Sequence, residues 1–196
     1  MKMTEKEKML ASQPYNSRDP ELIKMYHNAR RLLRIFNSTE SHDAAAKTAA
    51  LRELFGKLGK NVWIEAPFFC DYGENIFIGD NTFINFSATF LDCNRISIGK
   101  NGLIAPNVQI YTAYHPLKAS DRIKQNWDET DGTAIYHTAA APVAIGDNVW
   151  IGGSCIVFPG VSIGDNTTIG AGSIVTKNIP ANVLAFGNPC KVVRQL

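Results

Sequence analysis

An aliphatic anchor that returns every six residues restricts this chain more than any other feature. It falls at Ile145, Ile151, Val157, Ile163, Ile169 and Val175 without a break, and earlier at Ile78, Ile84 and Phe90, then at Ile98, Ile104 and Ile110. The surrounding motif repeats as well. Ile76-Phe77-Ile78-Gly79-Asp80-Asn81 is echoed at 96–101, 143–148 and 161–166, the last two copies lying 18 residues apart. A helix turns every 3.6 residues and a strand alternates every two, so neither alone calls for a six-residue period with a small residue after each anchor. A prism-shaped β-solenoid calls for both: each hexapeptide makes one short strand and one corner, three complete a coil, and the anchors stack inward from coil to coil. Gly79, Gly99, Ala105, Gly146, Gly152, Gly164 and Gly170 follow anchors, where a small side chain is expected to ease a tight corner.

A single coil buries nothing, so both ends of the solenoid need covers. Residues 1–58 are expected to form a helical segment, and 59–196 the solenoid domain, with Val183–Leu196 as its C-terminal cap. Thr4 followed by Glu7 reads as a capping box opening a short helix. Asp19-Pro20 opens a second, whose apolar stripe is Leu22, Met25, Tyr26, Ala29, Leu32, Leu33 and Phe36 and which is expected to end at Asn37. A third runs from Ala44 to the neighbourhood of Gly56 or Gly59. Lys24, Arg30, Arg31 and Arg34 read as a solvated face.

With 45% hydrophobic and 19% charged residues the chain has the composition of a folded domain, not of a disordered or coiled-coil one. A net charge of +2 offers no concentrated positive surface for nucleic acid, and no window approaches the ~18 apolar residues of a membrane span. The opening residues carry no apolar run of signal-peptide length, and Cys70, Cys93, Cys155 and Cys190 form no CxxC pair. The expectation is a soluble cytoplasmic protein with reduced thiols and no metal.

The repeat loses phase twice. The step from Phe90 to Ile98 is eight residues, implying a bulge around Asp92–Asn94, and the step from Ile110 to Ile145 is 35, implying an excursion over 111–142. That excursion holds His115, His137 and Trp127 among many polar residues, and long loops on rigid scaffolds carry function. The aromatics Phe83, Phe86, Phe90 and Phe158 exceed what a narrow interior is expected to hold, so some should face a wall or a partner chain.

Several segments together resemble one group of proteins. They are Thr4–Met9, Cys70-Asp71-Tyr72-Gly73, Ile104-Ala105-Pro106-Asn107, Tyr111-Thr112-Ala113-Tyr114-His115-Pro116, Asn148-Val149-Trp150-Ile151-Gly152-Gly153, Ile169-Gly170-Ala171-Gly172-Ser173, Val175-Thr176-Lys177 and Gly187-Asn188-Pro189. This pattern resembles the maltose and galactoside O-acetyltransferases, left-handed parallel β-helix enzymes of the hexapeptide-repeat class. The resemblance implies acetyl-CoA as co-substrate, a sugar acceptor and a homotrimer with sites between chains. It points to His115 as the catalytic base, since an alcohol barely ionises near neutral pH and histidine titrates there. It implies Asn85, Asp71 and Asp92 as acceptor contacts, and the Gly153 amide as the group that stabilises developing charge. For the coenzyme it implies Trp150, Gly153, Ala171, Thr176 and Lys177 along a groove, with Lys191 and Arg194 at the phosphates. The link after His115 is longer here than the family pattern and closes on Ala140-Ala141-Pro142, which leaves the acceptor less constrained than the reaction.

Other readings stay open at this level. One is a hexapeptide acyltransferase for a non-sugar acceptor such as an antibiotic. A β-helix (γ-type) carbonic anhydrase would need three histidines on zinc, and only His115 and His137 lie in the repeat region. A non-catalytic solenoid scaffold would leave His115 without a task.

Overall fold

The structure, a computed structural model, describes residues 2–196. Helix α1 (Glu5–Leu10) is opened by Thr4, whose hydroxyl accepts from the Glu7 amide at 3.1 Å while the Glu7 carboxylate accepts from the Thr4 amide at 2.7 Å. Asp19 caps α2 (Pro20–Ser38), which buries Leu22, Met25, Ala29, Leu32, Leu33 and Phe36. Tyr26 leaves the expected stripe; it is exposed, with the Arg30 guanidinium 4.3 Å above its ring. Asn37 does not end α2. Its side chain accepts from the Phe68 amide at 2.9 Å and donates to the Phe68 carbonyl at 3.0 Å, fastening the helix to the first coil. With α3 (Ala44–Leu54), the stripe of α2 shares one continuous core with the solenoid anchors and so closes its open end.

From Lys57 the chain builds three parallel walls over about six turns. The first wall stacks Lys57–Leu58, Ile76–Ile78, Ile96–Ile98, Val143–Ile145 and Ser162–Ile163. The second stacks Trp63–Ile64, Phe83–Ile84, Leu103–Ile104, Trp150–Ile151, Thr168–Ile169 and Val183–Phe186, and the third Phe68–Cys70, Ala88–Leu91, Gln109–Tyr111, Ile156–Val157 and Ile174–Val175. Register puts anchor over anchor. Ile64, Ile84, Ile104, Ile151, Ile169 and Ala185 form one inward column, and none is more than 4% exposed. Phe90 belongs inside, fully buried and edge-on to Phe68 at 5.2 Å, so the interior does hold large rings. Phe86 and Phe158 are exposed.

The corner chemistry differs from expectation in an instructive way. Gly79, Gly99, Gly146, Gly152, Gly164 and Gly170 do not adopt the left-handed conformation. They are glycine because coils approach there: a Cβ on Gly79 would stand 2.5 Å from the Gly99 carbonyl carbon, and one on Gly152 would stand 2.5 Å from the Ala171 nitrogen. The left-handed residue comes two places later: asparagine after Gly79, Gly99, Gly146 and Gly164, Ser154 after Gly152 and Gly172 after Gly170. Asn61, Asn81, Asn101, Asn148, Asn166 and Asn182 all have φ between 55° and 60°, which asparagine tolerates better than most residues. Each of the first five donates its amide to the next one's oxygen, at 2.8–3.2 Å. The intervening aspartates serve the same edge: Asp80, Asp147 and Asp165 accept from the amides of Lys60, Lys100 and Asp147 at 2.7–2.8 Å.

At the far end Lys191–Gln195 folds back antiparallel on Val183–Phe186 and covers the last parallel edge of the second wall. A Gly79→Ala change tests the close-approach argument. Its backbone conformation is permissive, so a purely conformational role predicts almost no effect; overpacking against the next coil predicts a loss of about 1–3 kcal/mol in urea unfolding.

Candidate active site

The excursion is an ordered hairpin. Ala113–Tyr114 pairs antiparallel with Ala139–Ala140, and farther out Ile123 bridges Tyr136 around the short helical turns Ala119–Arg122 and Glu129–Asp131. His115 follows its outgoing strand directly, exposed, with Nδ1 2.8 Å from the His137 carbonyl oxygen. A carbonyl only accepts, so Nδ1 must carry the proton and Nε2 keeps a free lone pair. The Tyr136 ring stands edge-on to the imidazole at 6.1 Å. His137 thus meets His115 through its backbone. No residue-type signal marks such a role, because every residue carries the same carbonyl.

The hairpin is tied down on both sides. The His137 amide donates to the Arg122 carbonyl at 2.8 Å, and the Arg122 guanidinium donates to the carbonyls of Pro116 and Leu117 at 3.2 and 3.0 Å. The segment before α2 reaches across it: the Tyr15 amide donates to the Thr138 carbonyl at 3.2 Å, and the Asn16 side chain to the Gly132 carbonyl at 3.1 Å.

Beneath His115 the third wall turns toward the first through a polar corner. Asp92 is 0% exposed, and its carboxylate accepts from the amides of Asp71 at 2.9 Å, Tyr72 at 2.8 Å and Asn75 at 3.3 Å. Those bonds make it a builder of the corner, with no open face for a ligand. Burial pushes its carboxyl up to about 8 against the pull of the three amides. Asp71 is half-buried, with Arg30 3.7 Å from one carboxylate oxygen and the Cys93 thiol donating to the other at 3.5 Å. Burial raises the Asp71 carboxyl and keeps the Tyr15, Tyr72 and Cys93 protons in place. The Tyr15 hydroxyl is buried without a hydrogen-bond partner among the described residues.

The residues marked in the sequence fall on two different edges of the prism. Asp71, Asp92, Thr176 and Lys177 follow third-wall strands, and the hairpin that carries His115 leaves after the third-wall strand Gln109–Tyr111, all on the edge that turns toward the first wall. Asn85, Gly153 and Ala171 follow second-wall strands, on the edge that turns toward the third. The third wall, roughly 15 Å of extended chain, lies between them. Trp150, 50% exposed, faces outward on the second wall, and its register neighbours Thr168, Leu184 and Arg194 continue that outward column to the last strand, which also carries Lys191. One chain therefore brings Asp71 and Asp92 near the base of the His115 hairpin and leaves Asn85 and most of the coenzyme residues on the other side.

Comparison with known proteins supplies the class. The family description "maltose acetyltransferase hexapeptide capping motif" matches residues 8–59, and "hexapeptide repeat of succinyl-transferase" matches 142–177. The galactoside O-acetyltransferase of Escherichia coli K12 is 37% identical over 85% of this chain and 77% of its own length. A maltose O-acetyltransferase structure from Clostridium difficile 630 is 47% identical, with a TM-score of 0.91 over 99% of this chain and 98% of that one. The chain belongs to the maltose/galactoside O-acetyltransferase family. The chain is also similar to a hexapeptide-repeat acetyltransferase from Vibrio cholerae O1 biovar eltor solved with acetyl coenzyme A, 37% identical with a TM-score of 0.87 over 99% of both chains. Among the described residues no helix is long and apolar enough to cross a membrane, and no group of three or more His, Cys, Asp or Glu side chains is placed to hold a metal ion.

The buried carboxyl of this acetyltransferase gives a pH prediction. An unfolded aspartate ionises near ~3.9, and Asp92 in the fold near about 8. The folded value is raised, so the stability linked to this proton is complete below ~4 and is lost as pH rises through about 8. Urea unfolding should show wild type weakening from about pH 5 to about pH 8, and Asp92→Asn should show a flatter profile across that window.

Proposed function

We propose that this acetyltransferase moves the acetyl group of acetyl-CoA directly to a hydroxyl of a sugar, a maltose/glucose- or galactoside-like acceptor, in the cytoplasm, with His115 as general base. The observation that carries the reading is the 2.8 Å contact between His115 Nδ1 and the His137 carbonyl, which leaves Nε2 bare on an exposed ring. Nε2 takes the hydroxyl proton as the oxygen attacks the thioester carbonyl carbon. The Gly153 amide stabilises the oxyanion that forms, and its collapse breaks the carbon–sulfur bond. The departing thiolate recovers the proton from the imidazolium.

The two-edge distribution supports a homotrimer in which the His115 edge of one copy meets the Asn85 and Gly153 edge of the next. An exposed apolar column on the second wall, Trp63, Leu103 and Trp150, gives such an assembly surface to bury. Asn85 and Asp71 would hold the acceptor, with Asp92 acting through the amides it fixes. The outward line from Trp150 to Arg194 spans three strand spacings, roughly 14 Å, and suits a thin pantetheine arm that ends in phosphates at Lys191 and Arg194. Ala171, Thr176 and Lys177 would border the same groove.

Coenzyme A release should be followed over a panel of glucosides, galactosides, maltose, amino sugars, serine and chloramphenicol. Turnover on a sugar that His115→Ala lowers by roughly 10²–10⁴ is the expected result; turnover confined to non-sugars would replace the acceptor, and none at all would replace the enzyme reading with a scaffold. Shared sites make a second prediction. His115→Ala and Asn85→Ala chains, each nearly inactive, should regain about a quarter of wild-type activity when refolded together, since one site in four draws both intact residues from neighbouring chains.

A further inference from the structure

The His115 to His137 bond joins two segments that leave the solenoid and return to it, and one buried residue outside the family's matched motifs touches both, the outgoing one through its backbone amide and the returning one through its side chain. Asn94 is 2% exposed and sits in the lengthened corner where the six-residue period slips by two. Its backbone amide donates to the Thr112 hydroxyl at 2.8 Å, and that hydroxyl donates to the Leu91 carbonyl at 2.6 Å, pinning the outgoing chain three residues before His115. Its side-chain nitrogen reaches the Ala140 carbonyl at 3.3 Å, three residues past His137, and the Met9 carbonyl at 2.9 Å at the end of α1. Its side-chain oxygen accepts from the Arg95 amide at 2.7 Å. The loop is closed by the Ala141 amide, which donates to the Thr112 carbonyl at 2.8 Å. A buried group that must donate to several carbonyls and also accept from one amide calls for a carboxamide; alanine offers neither function and aspartate cannot donate when ionised.

We propose that Asn94 is a positioning residue for acetyl transfer: through Thr112 and Ala140 it sets the spacing of the two hairpin strands that keeps His115 Nδ1 on the His137 carbonyl. Helix α1 thereby bears on the site, because its last carbonyls share the same side chain. The proposal rests on the reading of His115 as the base.

The test measures the imidazole itself. Nitrogen-15 NMR of the full-length protein should show neutral His115 protonated at Nδ1 in wild type and a mixture of tautomers in Asn94→Ala, with kcat lowered roughly 10- to 100-fold and KM for acetyl-CoA unchanged. Thr112→Val, similar in shape but lacking the hydroxyl, provides the same reading should Asn94→Ala not fold. Asn37→Ala is the control, since it removes an equally structural staple between α2 and Phe68; it should lower stability and leave the His115 tautomer alone. Wild-type tautomer in folded Asn94→Ala or Thr112→Val overturns the proposal, as does an equal tautomer change in Asn37→Ala. Wild-type turnover in His115→Ala would instead overturn the base reading, an outcome the NMR experiment keeps separate from the geometry.

Discussion

Everything in this molecule depends on backbones stacking coil over coil in strict register. At ordinary strand spacing a ~4.8 Å step leaves room for hydrogen bonds but not for side chains at the corners, which is why the repeat glycines meet the backbone or a side chain of the following coil. The same step brings equivalent asparagines within hydrogen-bonding reach of one another. Inside, it lays each isoleucine on the one below, so that a chain of short strands acquires a continuous core.

The stack also decides where chemistry can stand. A prism offers flat walls and three edges, and loops can leave it only at edges, where the backbone already turns. The 111–142 excursion leaves after a third-wall strand and returns to the next first-wall strand, so a histidine near its start is carried on a rigid base. The hairpin then does what the solenoid cannot: it bends a backbone carbonyl back onto the imidazole and fixes which nitrogen is free. The N-terminal segment, beyond sealing the end of the solenoid, reaches this hairpin through Tyr15, Asn16 and the end of α1.

Close by, the polar corner around Asp92 shows a different balance. An enclosed carboxyl is costly to ionise, yet three amides need its oxygens. Asp92 thereby orders the turn that carries Asp71, and of two acids 21 residues apart in equivalent corners one is fully enclosed and the other half-buried.

By itself the sequence determined the solenoid, its helical cover, the excursion and the likeness to one family, because hexapeptide periodicity and capping motifs are local patterns with one geometric solution each. It marked His115 through a short run of neighbours. It assigned the repeat glycines to turning the chain, since a sequence shows a corner but not the coil stacked beside it; their reason is contact between residues 16 or more positions apart. It placed Asp92 among the acceptor contacts, since a carboxylate looks alike whether it faces a sugar or three amides. Tertiary structure alone decided that the His137 carbonyl meets the His115 ring, that Asn94 binds both arms of the hairpin, and that Asn85 and His115 occupy opposite edges of one wall. Each of these depends on which distant backbone groups meet in space, and residue identity carries no record of that.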